Sequence, residues 1–122
     1  MARLAIGRSS QIDTKLLDVD IRNAVEGVQQ CSPAELDTLC CGTLGSIEFF
    51  CEAGRSLDRS DLRDMAGKHL TAVLEQAAVT GDYRWNSGKR QFNLGLFRGL
   101  SGVGYTLLRQ IDLSLPNILT WQ

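Results

Sequence analysis

The chain has 122 residues, enough for about one domain, and Leu, Ile, Val and Phe make up about 28% of it, above the roughly 20% below which disorder is the default. Thirteen basic against 14 acidic residues leave a net charge of −1, so the basic excess that nucleic-acid binding draws on is missing. No apolar run approaches the ~18 residues of a membrane span, and Met1 to Gly7 lack the apolar centre of a secretory signal; a cytoplasmic chain is expected.

The elements read as helices throughout, so the fold class is all-α. Asp13 or Thr14 caps a first helix running to about Gln29, with Leu17, Ile21, Ala24, Val25 and Val28 on one stripe. Gln30 to Leu39, with Ser32-Pro33 inside it, is a connection. A second helix runs from near Gly42 to Ala53, with Gly54 as its C-terminal stop. Its Leu44, Ile47, Phe49, Phe50 and Cys51 point several ways, so it is expected to be buried on more than one side.

Asp58 or Ser60 caps a long third helix to about Thr80, closed by Gly81. Its stripe is Leu62, Ala66, Leu70, Val73 and Ala77, the mark of a one-sided surface helix. Asp82 to Leu94 is polar and reads as a loop. A fourth helix spans about Leu96 to Gln110, carrying Leu100, Val103, Leu107 and Leu108, and is expected to be buried. The apolar end, Leu115 to Gln122, is expected to dock.

The two buried helices begin alike, Gly42-Thr43-Leu44-Gly45 and Gly99-Leu100-Ser101-Gly102, 57 residues apart. Glycine lowers helix propensity by about 1 kcal/mol against Ala, so close approach of another backbone is the expected compensation. The pattern is an array of about two helical hairpins. Hairpins of this kind bury their faces on neighbours, and about three or more are usual. Isolated, the pair is expected to expose Leu17, Ile21 and Val25 at one end and Leu107, Ile111 and Leu113 at the other.

Chemistry concentrates at Cys40-Cys41-Gly42, where the connection enters a buried helix. A helix N-terminus lowers thiol pKa values. Two adjacent thiolates reach one metal if the backbone turns between them, and zinc accepts sulfur; the plain alternative is two structural thiols. Cys31, in the connection, is the weaker ligand candidate. Cys51 reads as core, and His69, on a surface helix, as structural or solvated. Arg84, Trp85, Lys89 and Arg90 read as a solvated loop. Glu48 and Glu52 lie i, i+4 on the buried helix and are assigned no proton transfer.

The run Leu39-Cys40-Cys41-Gly42-Thr43-Leu44-Gly45-Ser46-Ile47-Glu48-Phe49 resembles the zinc segment of the LanC-like lanthionine cyclases. The Cys-Cys-Gly form is similar to the variant in class II LanM synthetases of the three-cysteine, substrate-tolerant type. The likeness continues through Phe50 to Gly54 and Asn93 to Tyr105, and ends at Leu115 to Trp121. It implies part of an α/α toroid of alternating outer and inner helices. It also implies a reaction: addition of a precursor-peptide cysteine to dehydroalanine or dehydrobutyrine, forming a thioether ring.

By this resemblance Cys40 and Cys41 are two zinc ligands. The third ligand, a cysteine in a Trp-Cys-x-Gly-like segment, and the catalytic His and Asp belong to an upstream part of the domain. Residues 1–122 are therefore expected to be the C-terminal portion of a cyclase domain, inactive alone, with no catalytic or cofactor-binding residue of their own. The expected partners are a lanthipeptide precursor and the missing upstream part. The alternative is a non-catalytic helical module that binds a peptide or protein.

Overall fold

The computed structural model describes residues 14–31, 34–85 and 93–120. Among these the secondary structure is four helices and no strand: α1 (Thr14–Gln30), α2 (Thr43–Ser56), α3 (Ser60–Thr80) and α4 (Leu100–Ile111). The all-α expectation holds, as part of an α/α toroid. No helix among the described residues is long and apolar enough to cross a membrane.

α2 is the hub. Leu44, Ile47, Phe49, Phe50 and Ala53 are all buried, so it is covered on more than one side, as its sequence required. It packs most extensively on α3 and meets α4 along a narrower seam. From α3 come Leu62, Ala66 and Val73, and the His69 ring stands edge-on to Phe50 at 5.6 Å. His69 is thus a packing residue, as expected. Lys68 and Glu75 face water, which makes α3 the one-sided helix its periodicity described.

Gly54 does not end α2, which continues to Ser56. Its role is close approach. A Cβ there would lie 2.7 Å from Arg63 Cγ and 3.0 Å from the Arg59 carbonyl, so only glycine lets the following turn fold back onto the helix. Gly81 does close α3: it sits at φ 75° and its N–H donates to the Ala77 carbonyl.

α1 differs from expectation. Leu17, Ile21 and Val25 are not exposed but belong to the same core cluster as Leu44, Phe50 and Leu62. The amphipathic stripe finds its apolar partner within the chain, and Gln29 adds a bond from Nε2 to the Met65 sulfur. Asp13, the other candidate cap, lies outside the described residues.

α4 begins at Leu100 rather than near Leu96 because residues 96–98 form a turn. Gly102, Val103, Thr106 and Arg109 are buried, but Leu108 is 55% and Ile111 86% exposed. The expected second buried side is absent because no helix among the described residues lies on it as α3 lies on α2. Leu113 is exposed as well, so this end of the array is open at Ile111 and Leu113 as expected, but Leu107 packs against the core instead. Residues 115–120 dock on α4: Tyr105 donates to the Pro116 carbonyl and Arg109 Nε to that of Leu115. Trp121 and Gln122 lie outside the described residues.

The 57-residue repeat is structural. Thr43 N–H donates to the Leu36 carbonyl at 2.9 Å, and Leu100 N–H donates to that of Asn93 at 2.9 Å. A Cβ on Gly45 or Gly102 would run into the Leu39 or Leu96 carbonyl, the same position in each unit. The glycines therefore do compensate for poor helix propensity by close backbone approach.

Candidate functional site

The turn at residues 37–42 is pinned from three directions. Asp37, fully buried, donates its N–H to the Arg84 carbonyl and accepts bonds from Arg84 N–H, Nε and NH2. Arg84 is thus no free loop residue; it anchors the turn. Gly42 N–H donates to the Thr38 carbonyl, which tightens the turn before α2. Leu39 is buried and plugs the turn into the core. Finally, Cys40 N–H donates to the Phe97 carbonyl at 3.0 Å, tying this turn to its repeat at residues 93–99.

Because the repeats meet at equivalent positions, Arg98 falls beside Cys41. The two cysteine side chains are exposed, and the Cys40 thiol donates to Cys41 Sγ at 3.3 Å. Thr38 Oγ1 lies 3.8 Å from the same sulfur. The Cys40–Phe97 backbone bond brings the adjacent, exposed Arg98 to the same rim as the two sulfurs. The Cys40 bond, then Thr38, with Arg98 adding its charge, hold the Cys41 thiol below its ordinary pKa. Here, then, is an exposed thiol pair, with Cys41 thiolate-prone, on a turn held by the Asp37–Arg84 and Cys40–Phe97 bonds.

The other candidates lie elsewhere. Cys51 is half-buried and donates to Gln110 Oε1, and burial pushes its pKa up. Cys31 is exposed at the end of α1. Among the described residues no group of three or more His, Cys, Asp or Glu gathers to hold a metal ion. Glu52 pairs with Arg55 on its own helix. Glu48 pairs with Arg109 of α4, each 3% exposed. Lys89 and Arg90 lie outside the described residues.

Arg98, Thr38 and Asp37 were not singled out by sequence reasoning. The repeat marks Arg98 as the counterpart of Cys41, 57 residues on, but not that the two turns meet. The signal for Arg109 was weaker: two carboxylates on a buried helix call for a cation.

The reactivity order follows from these environments. With the reduced, metal-free chain at neutral pH, Cys41 is expected to be alkylated by iodoacetamide faster than exposed Cys31, and Cys51 last. Peptide mapping by mass spectrometry reads the order; Cys51 reacting as fast as Cys41 would contradict it.

A family model described as lanthionine synthetase C-like protein matches residues 1–120. The chain belongs to that family. No curated protein and no solved structure gives a match. The matched span covers both turns of the repeat, so the thiol pair sits inside a lanthionine synthetase C-like framework. The family assignment carries with it a cyclase-type function acting on peptides.

Proposed function

We propose that this protein carries the zinc-binding thiolate pair of a lanthionine cyclase of the class II LanM type, as the C-terminal portion of its cyclase domain. In this reading Cys40 and Cys41 are metal ligands, the substrate is a dehydrated lanthipeptide precursor, and the product a thioether ring. The observation that carries it is the exposed sulfur pair 3.3 Å apart on a locked turn. Sulfurs sharing a tetrahedral zinc at about 2.3 Å lie about 3.8 Å apart, so a small opening of the pair suffices. Four unpaired thiols suit a reducing, cytoplasmic setting.

The chain's own residues do three things here. The ion pair of buried Asp37 with Arg84 and the Cys40–Phe97 bond fix the turn, so the sulfurs are presented without further ordering. Thr38 and Arg98 favour the charged form of Cys41, the form that ligates. Exposure leaves room for a peptide to approach. A zinc ion bound to this pair would hold a peptide thiol as thiolate at neutral pH.

Two thiolates are one short of the three protein ligands of a catalytic zinc. The purified chain is therefore expected to hold zinc weakly, below one per chain, and not to cyclise a dehydrated precursor above background. Co(II) added to the reduced chain should give a sulfur-to-metal charge-transfer band that is lost in Cys40→Ala and Cys41→Ala and kept in Cys51→Ala. A band that survives the double Cys40→Ala, Cys41→Ala variant, or no band at all, would sink the metal assignment and favour a non-catalytic interaction module. One chelator-resistant zinc per chain would point to a third ligand within it, with Cys31 the first to substitute. Ring formation by the chain alone, lost in Cys41→Ala, would overturn the shared-site reading.

A further inference from the structure

We propose that Arg98 is a specificity-determining residue of this site, selecting a peptide with a carboxylate next to its reacting cysteine. The proposal rests on the reading that Cys40 and Cys41 hold the substrate thiol through a metal.

The backbone places Arg98 at the rim of this site. The Cys40 N–H to Phe97 carbonyl bond brings the second turn against the thiols, and Asn93 Nδ2 donates to the Arg98 carbonyl at 3.3 Å to hold that turn. Asn93 Oδ1 in turn accepts from Gly95 N–H at 2.7 Å, bracing the same loop. The side chain is exposed. Among the described residues no carboxylate forms an ion pair with it, and its charge acts on the Cys41 thiol.

A guanidinium offers five N–H donors in a planar fork, and two sulfurs do not use them all. What it offers is an exposed cation with open donors at the rim of the site, matched in shape to a carboxylate. Phe97, its neighbour in the chain, is 43% exposed and adds apolar surface at the same rim. A peptide cysteine delivered to this pair brings its neighbouring residue within reach of Arg98. An acidic neighbour is held and a basic one repelled.

The test uses the reduced, Co(II)-loaded chain titrated with two blocked tetrapeptides, Gly-Cys-Glu-Gly and Gly-Cys-Lys-Gly, read by the charge-transfer band. The acidic peptide should bind about three- to fivefold more tightly at low salt, as for an exposed ion pair, and the ratio should shrink as salt is added. It should fall toward unity in Arg98→Gln, survive in Arg98→Lys and reverse in Arg98→Glu. An unchanged ratio in Arg98→Gln overturns the proposal while leaving the thiol site standing. Loss of the cobalt band itself in Arg98→Gln overturns it too, since the guanidinium would then only support the sulfurs. No peptide effect on the band in any variant would remove the metal-site reading and this proposal together.

Discussion

Arg109→Met is expected to destabilise the protein by roughly 3–5 kcal/mol, a large share of the ~5–15 kcal/mol that holds a domain folded. Arg109 and Glu48 are each 3% exposed and join α4 to α2. The rest of the α2–α4 seam is narrow: the Cys51 to Gln110 bond and a few apolar contacts. Removing the guanidinium leaves a buried carboxylate with no opposite charge, and Glu48 Oε1 already has no partner among the described residues. Arg109 Nε also holds the Leu115 carbonyl, so the docked C-terminal segment loosens with it.

The pH dependence has a definite sign. Burial pushes the Glu48 carboxyl above the ordinary carboxylate range, Arg109 opposes this, and Glu52 adds to it. A carboxyl whose folded pKa is raised contributes stability that is full below its unfolded pKa and lost as pH rises through the folded value. Without Arg109 the rise is unopposed. The stability gap between Arg109→Met and the parent should therefore widen from about pH 4 to about pH 7. Urea unfolding at both pH values measures it. The double Glu48→Leu, Arg109→Met variant should recover most of the loss, because no buried charge is left behind. A gap that stays flat with pH, or narrows, would mean Glu48 is solvated.

Gly42→Ala is the second large effect. The φ of Gly42 is −117°, ordinary extended backbone, so the constraint is space and not dihedral angle. A Cβ would run into Thr38 N and lie 2.5 Å from the Leu36 carbonyl and 2.6 Å from that of Thr38. All three are backbone atoms of the turn that carries the thiols, and none can swing aside. Overpacking costs about 1–3 kcal/mol where side chains yield, so a loss at or beyond the top of that range is expected. The change should also weaken the cobalt band, since Thr38 to Cys41 must shift. Gly99→Ala should cost a similar amount by the equivalent clash with the Asn93 carbonyl. Gly67→Ala is the control: nothing lies within 4 Å of its Cβ on the exposed side of α3. There alanine should stabilise by about 0.5–1 kcal/mol. Thermal or urea melts of the three variants give the comparison. Equal effects at Gly42 and Gly67 would show that the turn is not packed as described.

What was legible in the sequence was whatever depends on local periodicity and short-range chemistry. The stripes of α1 and α3, the burial of α2 on more than one side, the closing of α3 at Gly81 and the adjacency of Cys40 and Cys41 each follow from residues within a turn or two of one another. The repeat at Gly42 and Gly99 was legible too, because a pair of small residues at equal spacing leaves its mark in the chain. Tertiary structure alone decided the rest. Gly54 reads as a stop until Arg63 is seen against it. Leu17, Ile21 and Val25 are covered because a partner face exists within the chain, which no stripe reveals about itself. Arg84 and Arg109 look like surface cations, yet each meets a carboxylate 47 or 61 residues away. Arg98 comes to the rim of the thiols only because two turns, 57 residues apart, share a hydrogen bond at Cys40 and Phe97. Charge pairing and site assembly depend on distances between segments, and those are set by packing, which a linear pattern does not encode.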